Sequence, residues 1–271
     1  MEFSPKELMK QRKSVRTYDG RPLTPEHRRS LETYLETMDN PFGVPVTFRI
    51  LNAREKGLAS PVIVGAEEYL AAKVERLPHF ELAYGYCFEK ACLYALSLGV
   101  GTVMLAATLN RSVFEQVMEV GENQVLPLAS PLGYPARKRS IRESLMRKGV
   151  RADERKPFDT LFFRETFAQG LEPRQAGVFA EALELARWAP SAANGQPWRG
   201  VVAGNAVHFY EAKSMKDNGL GDIQKVDVGI ALANFHLALK ENGVAGSFRF
   251  EDPGLAAPEK THYMVTFRVR A

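Results

Sequence analysis

Two apolar stretches of this 271-residue chain carry the same punctuation: Gly85 and Gly99 stand fourteen residues apart, and so do Gly229 and Gly243. Each stretch reads as a long helix, Phe80 to Leu98 and Val226 to Asn242, closed by a glycine able to take the left-handed backbone of a helix end. Gly99-Val100-Gly101 has its counterpart in Gly243-Val244-Ala245-Gly246. Upstream, Leu23-Thr24-Pro25 precedes a helix, Leu171-Glu172-Pro173 does so 148 positions later, and Leu35 falls on Leu183 at that offset. Matched helices with matched ends predict an internal duplication, with repeats at residues 1–150 and 151–271.

The remaining elements fit an α+β reading. Pro5 to Gln11 reads as a short helix, and Thr24 caps a second one that opens at Pro25, where the missing N–H costs nothing. Val46 to Leu51, Pro61 to Val64, Gly101 to Leu105 and Val125 to Ser130 read as strands, with a helix at Arg111 to Val120. Ile141 to Lys148 reads as a basic amphipathic helix, and Gly149 to Lys156 as a charged linker. The pattern then restarts: a helix at Pro173 to Trp188, strands at Gly200 to Val202 and Val207 to Tyr210, and strands at Ser247 to Phe250 and Tyr263 to Val269 after the second long helix.

The copies differ where chemistry is written. Arg12-Lys13-Ser14-Val15-Arg16 sets two guanidinium groups and a hydroxyl at alternate positions, which an extended backbone presents on one side as the outline of a phosphate clamp. The second copy has Thr160-Leu161-Phe162-Phe163-Arg164 there. Conversely, the A-P-S-A-A-N-G-Q-P-W run from Ala189 to Trp198 is dense in hydrogen-bonding groups suited to something planar and polar, whereas the first copy has Asn40-Pro41-Phe42-Gly43. The plainer reading of that run is a tight helix-to-strand connection.

Composition narrows the classes. With 45% hydrophobic and 25% charged residues the chain can bury a full core, and its net charge of +4 is spread without a long basic block, which points to a specific anionic ligand rather than nucleic acid. Cys87 and Cys92 lack metal or redox spacing and read as buried thiols, so no metal site is expected. The N-terminal stretch lacks the apolar core of a signal peptide and no apolar run reaches the roughly 18 residues of a membrane span, so the protein is expected to be cytoplasmic, with no membrane partner. Histidines 27, 79, 208, 236 and 262 have no Ser or Cys in a nucleophile setting.

R-x-S-x-R at Arg12 to Arg16, P-S-A-x-N-x-Q-P-W at Pro190 to Trp198, L-G-Y-P with following basic residues at Leu132 to Arg139, and G-V-G-T at Gly99 to Thr102 together resemble the nitroreductase family of flavoproteins. Members are homodimers with two FMN sites at the subunit interface. The family's P-S-A motif normally follows R-x-S-x-R by a few tens of residues, whereas here the gap is about 175, so the resemblance implies a fused, duplicated version. Such a chain would be a monomer acting as a pseudo-dimer with two pseudo-twofold-related repeats, each a mixed or antiparallel sheet flanked by helices, and one FMN per chain.

The resemblance also implies roles. Arg12 and Ser14, with Lys13 between them, would take the FMN phosphate, joined by Lys138 or Arg139, with Arg137 and Arg142 as alternatives. Arg16 would supply the cation near flavin N1 and O2, or be an ordinary surface ion pair. Ala106 and Ala107 would bring backbone N–H groups to flavin N5, or form a simple turn. Pro190, Ser191, Ala192 and Asn194 would hold the ribityl chain and pyrimidine edge, while Gln196 and Trp198 lock the loop. No protein catalytic residue is required, because the flavin carries the hydride.

The implied reaction is ping-pong reduction of a small electron-poor acceptor such as a nitroaromatic, quinone or free flavin, with NAD(P)H as a transient donor. The alternatives are a non-enzymatic protein that binds FMN or another phosphate-bearing ligand, and a scaffold without FMN.

Overall fold

The computed structural model describes residues 4–138, 140, 143–144, 148–149, 151–217 and 219–270. Arg139, Arg142 and most of the expected helix Ile141–Lys148 lie outside them.

Helix α1 (Pro5–Gln11) and helix α2 (Pro25–Glu36) open with proline in the first turn, and the Ser4 and Thr24 side chains accept from the Glu7 and His27 backbone N–H groups. Strand β1 (Val46–Asn52) leads through the single turn α3 (Ala53–Lys56) to β2 (Glu68–Glu75). Helix α4 (Phe80–Ser97) follows, then α5 (Arg111–Val117), β3 (Gln124–Val125) and β4 (Ala129–Leu132). Beyond the basic segment come α6 (Phe158–Leu161), β5 (Phe162–Arg164), α7 (Ala180–Arg187), the hairpin β6 (Trp198–Ala203) and β7 (Ala206–Ala212), α8 (Ile223–Glu241), β8 (Gly246–Arg249) and β9 (Thr261–Val269).

Among the described residues the strands form two sheets. In the first, β2 is central, antiparallel to β1 on one side and to β3 and β4 on the other. The second runs β5-β6-β7-β9-β8, parallel only between β5 and β6. The fold is therefore α+β, as expected.

Four elements depart from the expectation for identifiable reasons. Strand β2 was not expected: it is buried on both faces over nearly its whole length, so E-Y-L-A-A-K-V-E lacks the alternation that marks a half-exposed strand. Pro61–Val64 and Gly101–Leu105 are not strands. The first contributes one bridge, Val64 to Thr17, and the second two separate bridges, Gly101 to Gly133 and Leu105 to Ala129, with Thr102, Val103 and Met104 turned to a cavity wall between them. The helix expected over Pro173–Trp188 is two 3-10 turns followed by α7, broken where Gly177 takes φ +55°.

Helices α4 and α8 cross at the centre. At Gly85 a Cβ would lie 2.0 Å from the Val226 carbonyl oxygen, and at Gly229 one would lie 2.3 Å from that of Leu82. The two glycines thus fit reciprocally against the opposite helix, and no other residue type allows the backbones to come so close. Buried Tyr84, Phe88 and Leu93 of α4 and Ile230, Phe235 and Leu239 of α8 join both sheets into one continuous hydrophobic core. Helix α1 lies on the pair, its Lys6 ammonium reaching Glu181 and the Asn242 side chain. No helix among the described residues is long and apolar enough to cross a membrane.

Candidate active site

Beyond α1 the chain runs extended, held by Val15 N–H to the Thr102 carbonyl (2.9 Å), Val64 N–H to the Arg16 carbonyl (2.9 Å) and Tyr18 N–H to the Val64 carbonyl (2.8 Å). Extended backbone alternates its side chains. Val15 is buried on one side with the Tyr18 hydroxyl donating to its carbonyl, while Arg12, Ser14 and Arg16 face a cavity on the other. Lys13, expected within the clamp, is exposed and off the cavity wall because the same alternation turns it away.

From the second half comes the loop after α7. Ala193, Asn194 and Gln196 take φ of +49°, +56° and +49°. Conformations of this kind cost about 1–3 kcal/mol each for residues with a side chain, and persist only where surrounding contacts enforce them. Those contacts are present. Both Asp227 carboxylate oxygens accept from the Ala192 N–H at 3.1 and 3.0 Å, and the Ser191 hydroxyl oxygen accepts from the Gln196 N–H at 2.9 Å. The Asn194 amide donates to the Arg151 and Glu154 carbonyls, and the Gln196 side-chain oxygen accepts from the Lys156 N–H. The segment expected as a plain linker therefore braces this loop, and Arg155 and Ala152 reach the cavity wall. Trp198 is wholly buried, in keeping with a core role.

Between these walls lies a cavity of about 420 Å³. Arg12, Ser14, Arg16, Ala106, Ala107, Pro190, Ser191, Ala192 and Asn194 all line it, so two sequence stretches some 175 residues apart meet across one space. The Ala106 turn is pinned by Arg111, whose guanidinium donates to the carbonyls of Ala106 (2.6 Å), Pro127 (3.2 Å) and Leu126. Lys138 is exposed and off the wall, on the surface loop after Pro135.

The central helices supply residues that the sequence reading missed. Glu89 and Cys92 of α4, and Asp227 and Ile230 of α8, line the cavity. Glu89 is fully buried, and among the described residues neither of its carboxyl oxygens has a hydrogen-bond partner and its closest cation is Arg12, with Nε at 4.0 Å. Burial pushes the Glu89 carboxyl up to about 7, against the opposing pull of Arg12. Burial likewise raises Asp227, offset in part by the Ala192 N–H. Cys92 is pushed up to about 12 by burial, which leaves it an inert thiol at neutral pH. The available signal was one acid in each mainly apolar run, Glu89 beside Lys90 in Y-C-F-E-K-A-C and Asp227 in V-D-V-G-I-A.

The family model described as "Putative TM nitroreductase" matches residues 5–239. The chain belongs to this nitroreductase family. No curated protein matches it. Among solved structures, a putative nitroreductase from Thermotoga maritima is 20% identical, with 99% of this chain and 94% of that one covered and a TM-score of 0.63. A putative NADH dehydrogenase/NAD(P)H nitroreductase from Bacteroides thetaiotaomicron is 23% identical over 52% of this chain and 91% of its own, with a TM-score of 0.43. An FMN-dependent nitroreductase from Clostridium difficile R20291 is 13% identical over 52% and 94%, with a TM-score of 0.42. The first of these is similar in fold along nearly the whole chain. Membership of the nitroreductase family gives the protein a general oxidoreductase role.

Proposed function

We propose that the cavity between the two halves holds one FMN per chain and that the protein catalyses NAD(P)H-dependent reduction of a small electron-poor acceptor, a nitroaromatic, quinone or free flavin, by a ping-pong route. The observation that carries this reading is the meeting of Arg12, Ser14 and Arg16 with Pro190 to Asn194 around one space. The fit is good in size and in chemistry. About 420 Å³ falls within the roughly 300–1,000 Å³ of small-molecule sites, and the lining pairs basic donors with small side chains at Ala106, Ala107, Ala192 and Ala193.

When bound, FMN supplies hydride chemistry at its ring N5. The residues bind and orient. Arg12 and Ser14 give charge-assisted donors to the phosphate, whose desolvation is otherwise prohibitive. Arg16 sets positive charge beside the ring edge that gains negative charge on reduction. Ser191, Ala192 and Asn194 hold the ribityl chain and the pyrimidine edge, on a loop stiffened by Asp227, and the turn at Ala106 and Ala107 offers backbone at the ring. No protein acid or base is asked to transfer the hydride's electrons.

The same reading treats residues 1–150 and 151–271 as fused copies, the second acting as partner subunit to the first. The reciprocal seats of Gly85 and Gly229 support it, being what a pseudo-twofold through the helix pair requires.

The test is the visible spectrum of the purified protein, before and after added FMN. NAD(P)H should bleach the bound flavin and a quinone should restore it. Flavin that stays oxidised under NAD(P)H would favour a binding protein, and a chain that takes up no FMN would refute the cofactor assignment.

A further inference from the structure

Arg12 is read above as a phosphate donor, yet its nearest charged neighbour is the carboxyl of Glu89, with Nε to Oε1 at 4.0 Å. That carboxyl is fully buried, lies on the cavity wall and, among the described residues, accepts or donates no hydrogen bond. An ionised Glu89 would neutralise Arg12 and repel an arriving phosphate. A neutral one has an O–H and nothing to give it to, which is a donor without an acceptor at the place where an anion is expected.

We propose that Glu89 is a ligand-binding residue of the phosphate site: as a carboxylic acid it donates its O–H to a phosphate oxygen of the ligand beside Arg12, so that binding draws one proton from solvent. The inference rests on the FMN reading and deepens it. The proton balance is simple, since Glu89 keeps the proton, shares it with the phosphate oxygen and returns it on release. Its buried carboxyl titrates near neutrality before the ligand arrives, so uptake is substantial at physiological pH and grows as pH rises.

The other groups facing this space do not duplicate that behaviour. Arg12, Arg16 and Arg155 bring guanidinium groups, which donate hydrogen bonds and accept none. The Cys92 thiol, one turn along α4, is pushed up to about 12 and stays protonated. Asp227 across the cavity is raised by burial, but both its oxygens are engaged by the Ala192 N–H. The phosphate's own second ionisation lies near pH 6, so above pH 6.5 it is already largely a dianion.

The experiment is titration calorimetry of the full chain with FMN and with riboflavin from pH 6.5 to 8.5, at each pH in two buffers of different ionisation enthalpy. FMN affinity should fall roughly 25-fold across that window with near-stoichiometric proton uptake at its upper end, while riboflavin, lacking phosphate, shows neither. Glu89→Gln, whose amide still donates but cannot titrate, should bind FMN with no uptake and a flat profile. The buffer comparison on the unaltered chain stands even where the variant does not fold. No proton uptake by the unaltered chain, the same uptake with riboflavin, or an unchanged slope in Glu89→Gln overturns the proposal while leaving FMN binding intact. Absence of FMN binding at every pH overturns the underlying assignment and this inference with it.

Discussion

Replacing Gly85 with alanine tests the helix crossing on which the cavity depends. The new Cβ would stand 2.0 Å from the Val226 carbonyl oxygen and 3.0 Å from the Ile230 nitrogen. Both are backbone atoms of α8 and neither can rotate away. Because Cβ contacts under 3.0 Å are essentially never seen, α4 and α8 must part by at least about 1 Å along that line, in a core packed as densely as a molecular crystal. Overpacking of this kind costs about 1–3 kcal/mol and occasionally more, whereas the helix propensity gained by losing a glycine returns about 1 kcal/mol. With backbone against backbone the cost lies at the upper end, leaving a net loss of about 2 kcal/mol or more. For a chain of this size that lowers Tm by roughly 4–8 °C. Because α4 carries Glu89 and Cys92 and α8 carries Asp227 and Ile230, the same separation should weaken FMN binding. Calorimetric melting with a flavin titration reads both effects. Gly121→Ala serves as control, since no atom beyond its chain neighbours lies closer than 3.7 Å to where its Cβ would stand, and its Tm should hardly move. A Gly85→Ala chain as stable as the parent would refute the close crossing.

Arg12→Ala combined with Ser14→Ala removes the donors assigned to phosphate; FMN affinity should drop by tenfold to hundredfold per charge-assisted bond, at roughly 1.5–3 kcal/mol each, with riboflavin affinity unchanged in a fluorescence titration. Glu89 also has a stability signature: its carboxyl is held near 7 against an ordinary 4.5, so the unfolded chain releases that proton first and stability falls as pH rises from 4.5 to about 7. Urea melts should therefore show Glu89→Gln gaining up to about 3 kcal/mol over the parent at pH 8 and almost nothing at pH 4.5. His236 is opposite in sign. Burial and nearby Lys240 and Lys90 depress it to about 4, and Tyr86 shares a 2.8 Å hydrogen bond with its Nδ1, so it is neutral when folded and its stabilisation is lost as pH falls below 6.5 toward 4. His236→Gln should flatten that acid limb by about 2 kcal/mol in urea melts at pH 7 and pH 4.5. Asp227→Ala leaves the Ala192 N–H without its carboxylate, and hydrogen exchange should become faster at Ala192 and through the Ser191–Gln196 turn.

What could be read from residues alone was what depends on local pattern. The Pro5 and Pro25 helix starts, the glycine-ended central helices and the alternation of Arg12, Ser14 and Arg16 each follow from a few neighbouring side chains, and the structure carries them nearly unchanged. Glu68–Glu75 was illegible because a central strand buried on both faces loses its period, and its alanines carry no β preference. Pro61–Val64 misled in the other direction, because its β-branched run finds one bridge and no ladder. Within the cavity, the clamp and the loop were visible as dense polar motifs. Glu89 and Asp227 were not, since a single acid in an apolar helix takes its meaning from what the opposite helix and loop bring to it. Lys13 shows the limit even of a correct pattern: one residue along an extended chain separates the cavity from solvent.

If the two halves are fused copies, as proposed, the aromatic residues bear on why one site would remain rather than two. At the offset that aligns the halves, Ser14 corresponds to Phe162, which is wholly buried, 4.7 Å from Phe158 in ring centroid and directly under Gly200, where a Cβ would meet its ring at 3.0 Å. At the same offset Pro190 corresponds to Phe42, buried and packed edge-on to Tyr86 at 5.8 Å and against Phe248 at 5.5 Å. Phenylalanine in place of the serine at position 14 would remove one of the donors that make phosphate desolvation tolerable, and both rings add buried apolar surface worth about 1.5–3 kcal/mol per side chain. A chain that keeps both halves in one covalent unit no longer needs identical faces, so one pseudo-symmetric position can be spent on packing while the other keeps its strained loop, its buried carboxyl and its guanidinium pair. On this reading the asymmetry is the reason the surviving site can be polar and strained: its counterpart has become core.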